Sequence, residues 1–292
     1  MQSDDKIESS YLGQFIPVHY HHNMLMDANR MSSFKAAIDH VVFPGAKVLE
    51  LGGGTGVLSW FAAAKAEKVW CVEFNPDMVS EACRLLSGNP NGHKVEVVHA
   101  DAFEYLPPEP VDVVICEMIH VAMLREKQVA VIESFKKRYR ERFGDRLPLF
   151  VPEAVIMAVQ PLQQSYDFHG FNAPIIQFHE TTFASDRTVE MARPAVYSTL
   201  DFMRPTDLQI SWKGVFQIER EGSVNALRFI TKNILALVRE ETSAIEWLNH
   251  YMSLPLEEPV RVAAGDRLAV GFSYRAGGSI PSLQAALHAG VV

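Results

Sequence analysis

Cysteine is scarce in this chain. Only Cys71, Cys83 and Cys116 occur among 292 residues, an odd number with no C-x-x-C pair, so no disulfide framework is available. A reducing compartment is therefore the expectation. No run of eighteen apolar residues appears, which excludes an ordinary membrane-spanning helix. The opening residues MQSDDKIESSYLGQ are polar and acidic, the wrong chemistry for a secretory signal, and a soluble cytoplasmic protein with no membrane partner is expected. Positive charge is also in short supply: 27 Lys and Arg stand against 35 Asp and Glu, a formal net charge of −8. Duplex binding normally needs net positive charge to displace counterions, so nucleic acid is disfavoured as a partner, and an acidic surface suits a basic one. His19, His21 and His22 cluster without a second group of ligands, so no metal site is expected. There is no internal repeat and no low-complexity tract.

What is present is an ordinary globular composition, 48% hydrophobic and 21% charged, in a length that allows two domains. The first half alternates strand-like runs at 47–51, 68–73, 94–99 and 111–116 with helical patterns at 57–67, 76–86 and 124–142. Asn75 and Pro76 read as the cap and first turn of the second helix. Such alternation indicates βαβ units and a parallel sheet. Past Pro148 the rhythm changes. Runs at 154–159, 195–202, 208–218, 226–238 and 268–274 are β-rich with no comparable helix between them, which suggests an antiparallel sheet, sandwich or barrel. The expected division is an α/β domain over 1–150 and a β-rich, barrel-like domain over 151–292. The basic stretch at 135–140 reads as a solvated helix face.

The most informative segment is Val48-Leu-Glu-Leu-Gly-Gly-Gly-Thr-Gly56, a strand running into glycines with a helix directly after. Absent Cβ atoms let the backbone turn tightly and approach a ligand, and the strand end and helix start together form a crevice. A dinucleotide fingerprint would place its third glycine at Val57; the pattern here is G-x-G-x-G, with Glu50 two positions before Gly52. It resembles motif I of class I S-adenosylmethionine-dependent methyltransferases, which implies a Rossmann-like domain and S-adenosylmethionine as cofactor. In that reading Gly52, Gly54 and Gly56 form the loop, and Glu73, ending the second strand, accepts the ribose hydroxyls. Asp101 and Ala102, after the third strand, lie where the family reads the adenine edge. The plainer alternative is a tight strand–helix turn with Glu73 and Asp101 merely exposed at strand ends; three features in the right order at the right strand ends favour the cofactor.

After the fourth strand, Glu117 and Glu126 stand nine residues apart, enough for a loop to bring two carboxylates to one pocket. A guanidinium is always protonated and presents a planar fork of donors that matches carboxylates, each charge-assisted bond being worth about 1.5–3 kcal/mol. Here the chain resembles the protein arginine methyltransferases, whose "double-E" loop has this spacing after this strand. The plainer alternatives are a Glu117 that touches cofactor or structural donors and a Glu126 on a solvated helix face. The resemblance extends to Asn23–Arg30 and implies that Arg30 pairs with the cofactor's methionyl carboxylate and that Met24 packs near the sulfonium. Tyr11 matches the first aromatic of an amino-terminal Tyr-Phe motif, with Leu12 in place of the phenylalanine, and Trp247 matches the tryptophan of a Thr-His-Trp loop; both are implied to contact substrate. That loop is here Ile245-Glu246-Trp247, so a third carboxylate replaces the histidine, and Phe15 stands where a tyrosine is usual. The stretch at 161–195, which would hold a dimerisation arm, is short, and a homodimer is left open. His120 lies inside the double-E loop as a lone histidine.

The function these features imply is methyl transfer to a guanidinium nitrogen of an arginine-containing protein or a small guanidino or amino acceptor. Two alternatives stand beside it: a methyltransferase for a small molecule or other nucleophile, and a non-catalytic module that binds cofactor or a partner protein.

Overall fold

A computed structural model describes residues 18–181 and 186–292; Tyr11, Leu12 and Phe15 lie outside the described residues. Helix α1 (Val18–Met26) is followed at once by α2 (Ala28–Val41), because the Asp27 side chain accepts the backbone N–H of Arg30 at 2.9 Å and caps the second helix. Five parallel strands follow: β1 (Lys47–Leu51), β2 (Lys68–Glu73), β3 (Val95–His99), β4 (Val113–Cys116) and β5 (Leu149–Val151), in the order β3-β2-β1-β4-β5. Between them run α3 (Val57–Ala63), α4 (Pro76–Ser87) and α5 (Gln128–Phe143). Strand order reverses between β2-β1 and β1-β4, the switch point at which open α/β sheets bind ligands.

The register explains why the interesting residues meet. Leu51 pairs with both Val72 and Cys116, so Gly52, Glu73 and Glu117 leave the sheet at one edge. Glu73 pairs in turn with His99, which brings Asp101 to the same edge.

Two helices differ from the sequence expectation. The first ends at Ala63, because Glu67 must donate its N–H to Ala46 and start β2. The last begins at Gln128 rather than 124, because Ala122, Met123 and Arg125 hold φ of +58°, +53° and +60° and cannot be helical.

From Ala154 onward the chain is antiparallel. Three long strands, β6 (Ala154–Gln164), β13 (Gly222–Val238) and β15 (Tyr251–Val262), form the centre of a curled seven-stranded sheet. β9 (Gln177–His179), β10 (Thr188–Glu190), β11 (Ala195–Asp201) and β14 (Ser243–Leu248) pair along its edges. A short hairpin of β7 (Asp167–Phe168) and β8 (Phe171–Asn172) projects from it. A second sheet of β12 (Gln209–Gln217), β16 (Arg267–Arg275) and β17 (His288–Val291), with α6 (Ile280–Ala285), closes the other side. Register shifts at Val196/Ser198, Val224/Ala226 and Ile234/Ala236 supply the curl. Tyr197, Phe229 and Phe272 fill the space between the sheets with ring centres 5.1–6.0 Å apart.

The two halves share one core, which runs from Leu49 and Trp70 through Phe135 to Phe229 and Phe272. Lys136 of α5, only 1% exposed, crosses the junction to the carbonyls of Phe202 and Arg204 at 3.1 and 2.5 Å. Among the described residues no helix is long and apolar enough to cross a membrane.

Candidate active site

At the carboxyl edge of the parallel sheet the glycine loop folds back over β2, with the N–H groups of Gly52 and Gly53 both 2.9 Å from the carbonyl of Val72. Gly53 has no freedom to be anything larger, since a Cβ there would stand 2.2 Å from the sulfur of Cys71. Gly54 holds φ +53° and turns its N–H to the Glu73 carboxylate at 2.8 Å, while His21 of α1 closes over it. Glu73 uses its other oxygen to accept the N–H of Asn75 at 2.8 Å. A carboxylate thus aligned by backbone donors presents its remaining lone pairs at the strand end. Asp101 accepts the N–H of Phe103 at 2.8 Å and shapes the turn that follows β3.

Glu50, 2% exposed, accepts both the N–H (2.9 Å) and the hydroxyl of Ser59, tying β1 to the first turns of α3. Burial raises its pKa to about 8, against the pull of the Ser59 bonds. Gly56 is the N-cap of α3 and packs on Leu86 below the loop, outside the cavity lining.

One cavity adjoins the loop. Its lining includes Gly52, Gly54, Glu50, Glu73, Asp101 and Ala102 on the sheet side, and Met24 and Arg30 from the two leading helices. Glu117 and Glu126 line the same cavity. Arg30 Nη2 forms an ion pair with Glu117 Oε2, and the guanidinium lies 5.3 Å from the centre of the Trp247 ring. Arg30 Nε and Glu117 Oε1 are both buried with no hydrogen-bond partner among the described residues. Burial raises the pKa of Glu117 while Arg30 opposes the rise; Glu126 is pushed to about 7, first by burial and then by the charge of Glu117. Two carboxylates therefore share one low-dielectric pocket, with the Arg30 guanidinium paired to Glu117.

Several predicted site residues stand elsewhere. Trp247 is 5% exposed and packs between Phe34, at 5.9 Å, and Arg30; it backs the arginine and does not line the cavity. Glu246, the carboxylate in the histidine's place, is paired on the surface with Lys232 at 2.6 Å. His120 is neutral, its pKa lowered to about 4 by burial, with its ring edge against Phe178 and Nδ1 3.0 Å from the carbonyl of Val121. Tyr11 lies outside the described residues. Sequence reasoning missed Gly53, His21 as a wall of the loop, and Phe74, Asn75, Phe103 and Met118, which also line the cavity. Phe74 and Asn75 follow Glu73 directly, so position at a strand end was the available signal. Met118 carried none.

Residues 48–141 match the family model described as "Methyltransferase domain". That span holds the glycine loop, Glu73, Asp101 and both carboxylates of the shared pocket. The chain is an S-adenosylmethionine-dependent methyltransferase. It resembles an uncharacterized protein of Methanocaldococcus jannaschii at 27% identity over 91% of this chain and 95% of that one. A probable histone-arginine methyltransferase of rice (Oryza sativa subsp. indica) is 33% identical over 50% of this chain, but over only 29% of its own length. Among solved structures, the Trypanosoma brucei PRMT1 enzyme–prozyme heterotetrameric complex with AdoHcy superposes with a TM-score of 0.70, at 18% identity, over 87% of this chain and 86% of that one. The methyltransferase thus has the fold of the protein arginine methyltransferases, a Rossmann-like core joined to a curled antiparallel sheet, and is a divergent relative of them by sequence.

The residues of the methyltransferase fit its cofactor. A loop that excludes Cβ atoms, a carboxylate held at the second strand end, and a buried arginine with an unpartnered Nε suit a glycine-approached, diol-bearing and carboxylate-bearing molecule in turn.

Proposed function

We propose that this methyltransferase acts on a guanidinium nitrogen, with an arginine-bearing protein or peptide as acceptor. The single observation that carries the reading is that Glu117 and Glu126 line one cavity beside the glycine loop, where Glu117 already holds a guanidinium, that of Arg30. The two carboxylates are not equally matched: Glu117 is ion-paired with Arg30, while Glu126 feels Arg30 and Arg125 only through their charges. An acceptor that brings a second, permanently charged guanidinium would balance them, and a neutral acceptor would leave one carboxylate buried and unpaired, which is costly.

Under this proposal Gly52–Gly54 cradle the cofactor, Glu73 binds its ribose, Asp101 and Ala102 meet its adenine, and Arg30 takes its carboxylate. When bound, S-adenosylmethionine supplies an electrophilic methyl group. The protein's own work is to orient the acceptor nitrogen and exclude water, which are the main sources of rate in such a displacement. Glu117 and Glu126 hold the guanidinium in one plane, and their preorganised charge localises electron density on the nitrogen that faces the methyl group. Met24 and His21, both on α1, cover the cavity from the outside.

The test is incubation with labelled S-adenosylmethionine and an arginine-rich peptide, beside a panel of small amines and amidines. Glu117→Gln is expected to lower transfer to the peptide by at least 100-fold while changing cofactor affinity no more than a few-fold. Unchanged turnover in that variant would sink the guanidinium reading. One observation favours a second reading, a small amino or guanidino acceptor: the position of the family's histidine is held by Glu246, which is paired with Lys232 at the surface and does not line the cavity. Methylation of a panel member with no transfer to peptide would establish it.

A further inference from the structure

The loop that carries the two glutamates has an unusual backbone. Ala122, Met123 and Arg125 all lie in the left-handed region, and none is glycine. L-residues avoid that region because Cβ crowds the following carbonyl, so three of them within four positions do not stay there unaided. The span must be held from outside.

It is held by the antiparallel half. The N–H of Ala122 donates to Thr231 Oγ1 at 2.7 Å, and the carbonyl of Ala122 accepts the hydroxyl of Tyr274 at 2.9 Å. Tyr274 spends its only proton on that bond, so the hydroxyl of Tyr197, 2.9 Å away, donates to Tyr274 in turn. All three hydroxyl-bearing side chains are buried, Thr231 completely. Thr231 stands on β13 and Tyr274 on β16, so the two grips come from different sheets. Backbone bonds finish the attachment: Gly277 N–H to the carbonyl of Met123 and Arg125 N–H to that of Gly278, both at 2.7 Å. Ala122 sits five residues after Glu117 and four before Glu126, at the midpoint of the span.

We propose that Thr231 and Tyr274 are positioning residues that clamp Ala122 at its backbone N–H and C=O, on either side of its Cα, and so set the placement of Glu117 relative to Glu126 in the acceptor pocket. The inference rests on the guanidinium-binding role of that pair. Neither hydroxyl lines the cavity, and both act through the loop.

The experiment compares Thr231→Val, Thr231→Ser and Tyr274→Phe in the full-length protein. Thr231→Val is nearly isosteric and removes only the acceptor oxygen. It is expected to lower kcat with an arginine peptide by about 10-fold or more while cofactor Kd stays within about twofold. Thr231→Ser keeps the hydroxyl and should recover most of the rate. Tyr274→Phe should resemble Thr231→Val. In both impaired variants the acid limb of the pH–rate profile should move down, because a loosened loop lets water reach Glu126. Phe216→Leu, a core change away from the loop, serves as the control: with a similar loss of Tm it should leave kcat unchanged, which separates positioning from general destabilisation. Hydrogen exchange at the Ala122 amide provides a readout that needs no acceptor, with exchange about 10-fold faster expected in Thr231→Val. Wild-type kcat together with wild-type protection at Ala122 overturns the clamp. Absence of transfer to any guanidinium by the unmodified protein overturns the pocket reading instead, and the exchange measurement then decides the clamp by itself.

Discussion

Glu126 illustrates how much a single residue depends on its surroundings. As an exposed glutamate it would be ionised throughout the physiological range; buried beside Glu117 it titrates at about 7. Only the ionised form pairs with a guanidinium, so acceptor kcat/KM is expected to rise through a single ionisation near pH 7 and level above it. A profile already flat from pH 5.5 upward would show that Glu126 does not bind the acceptor as a carboxylate. Gly53 makes the opposite point about size. A methyl group there meets the Cys71 sulfur at 2.2 Å, and overpacking of this kind costs about 1–3 kcal/mol. Gly53→Ala should therefore weaken cofactor binding by at least 10-fold and lower Tm. Adding Cys71→Ala should recover part of both losses, as isothermal titration and thermal melts can measure.

Among elements, the junction of β1 and α3 is tied by Glu50 and Ser59, and it carries a pH signature. Glu50 titrates at about 8 in the folded protein against an ordinary value of 4.5, and Glu126 at about 7. Between those values the folded state binds protons that the unfolded state has released, so stability falls as pH rises from about 4.5 to 8 and is level above that. These two groups therefore favour the folded state most on the acid side. Glu50→Gln keeps an oxygen for the Ser59 donors and removes the titration, so its Tm should match the unmodified protein near pH 5 and exceed it by a few degrees near pH 8. Equal Tm differences at both pH values would remove Glu50 from the account.

Elements also show where the chain could be read and where it could not. The first four parallel strands were legible because each is a short, largely apolar or β-branched run that ends at or just before a glycine or an acidic residue; β5, three residues long, was not read as a strand. Strands β14 and β15 were not: Glu246 interrupts the first, and Leu256-Glu-Glu-Pro259 breaks the alternation of the second where it reaches the exposed part of the sheet. The early start expected for α5 failed because Leu124–Lys127 has helical composition, while its backbone is governed by Gly277 and Gly278 more than 150 residues downstream.

For the whole molecule, the Arg30–Glu117 pair joins the leading helices to the loop after β4. Under the proposed function, an acceptor guanidinium must compete with that of Arg30 for Glu117, and a carboxylate-bearing cofactor would draw Arg30 away. An arginine peptide is therefore expected to bind at least several-fold more tightly in the presence of S-adenosylhomocysteine than in its absence. Equal affinities in the two titrations would uncouple the sites. Arg30→Ala should abolish the dependence as well as weaken the cofactor.

The sequence by itself determined four of the five parallel strands, the glycine loop and the acidic residues at successive strand ends. These rest on spacings of a few residues and on the order of elements along the chain, which local chemistry dictates. Only the tertiary structure decided that Glu117 and Glu126 face one cavity, that Arg30 lies between Glu117 and Trp247, and that Glu246 leaves the site for Lys232. The clamp on Ala122 belongs to the same class: its partners lie 109 and 152 residues away, and a hydroxyl buried in a sheet bears no local mark of the strained loop residue it will hold. Contacts at such separations follow from how the two halves pack, and no periodicity within a strand or helix encodes them.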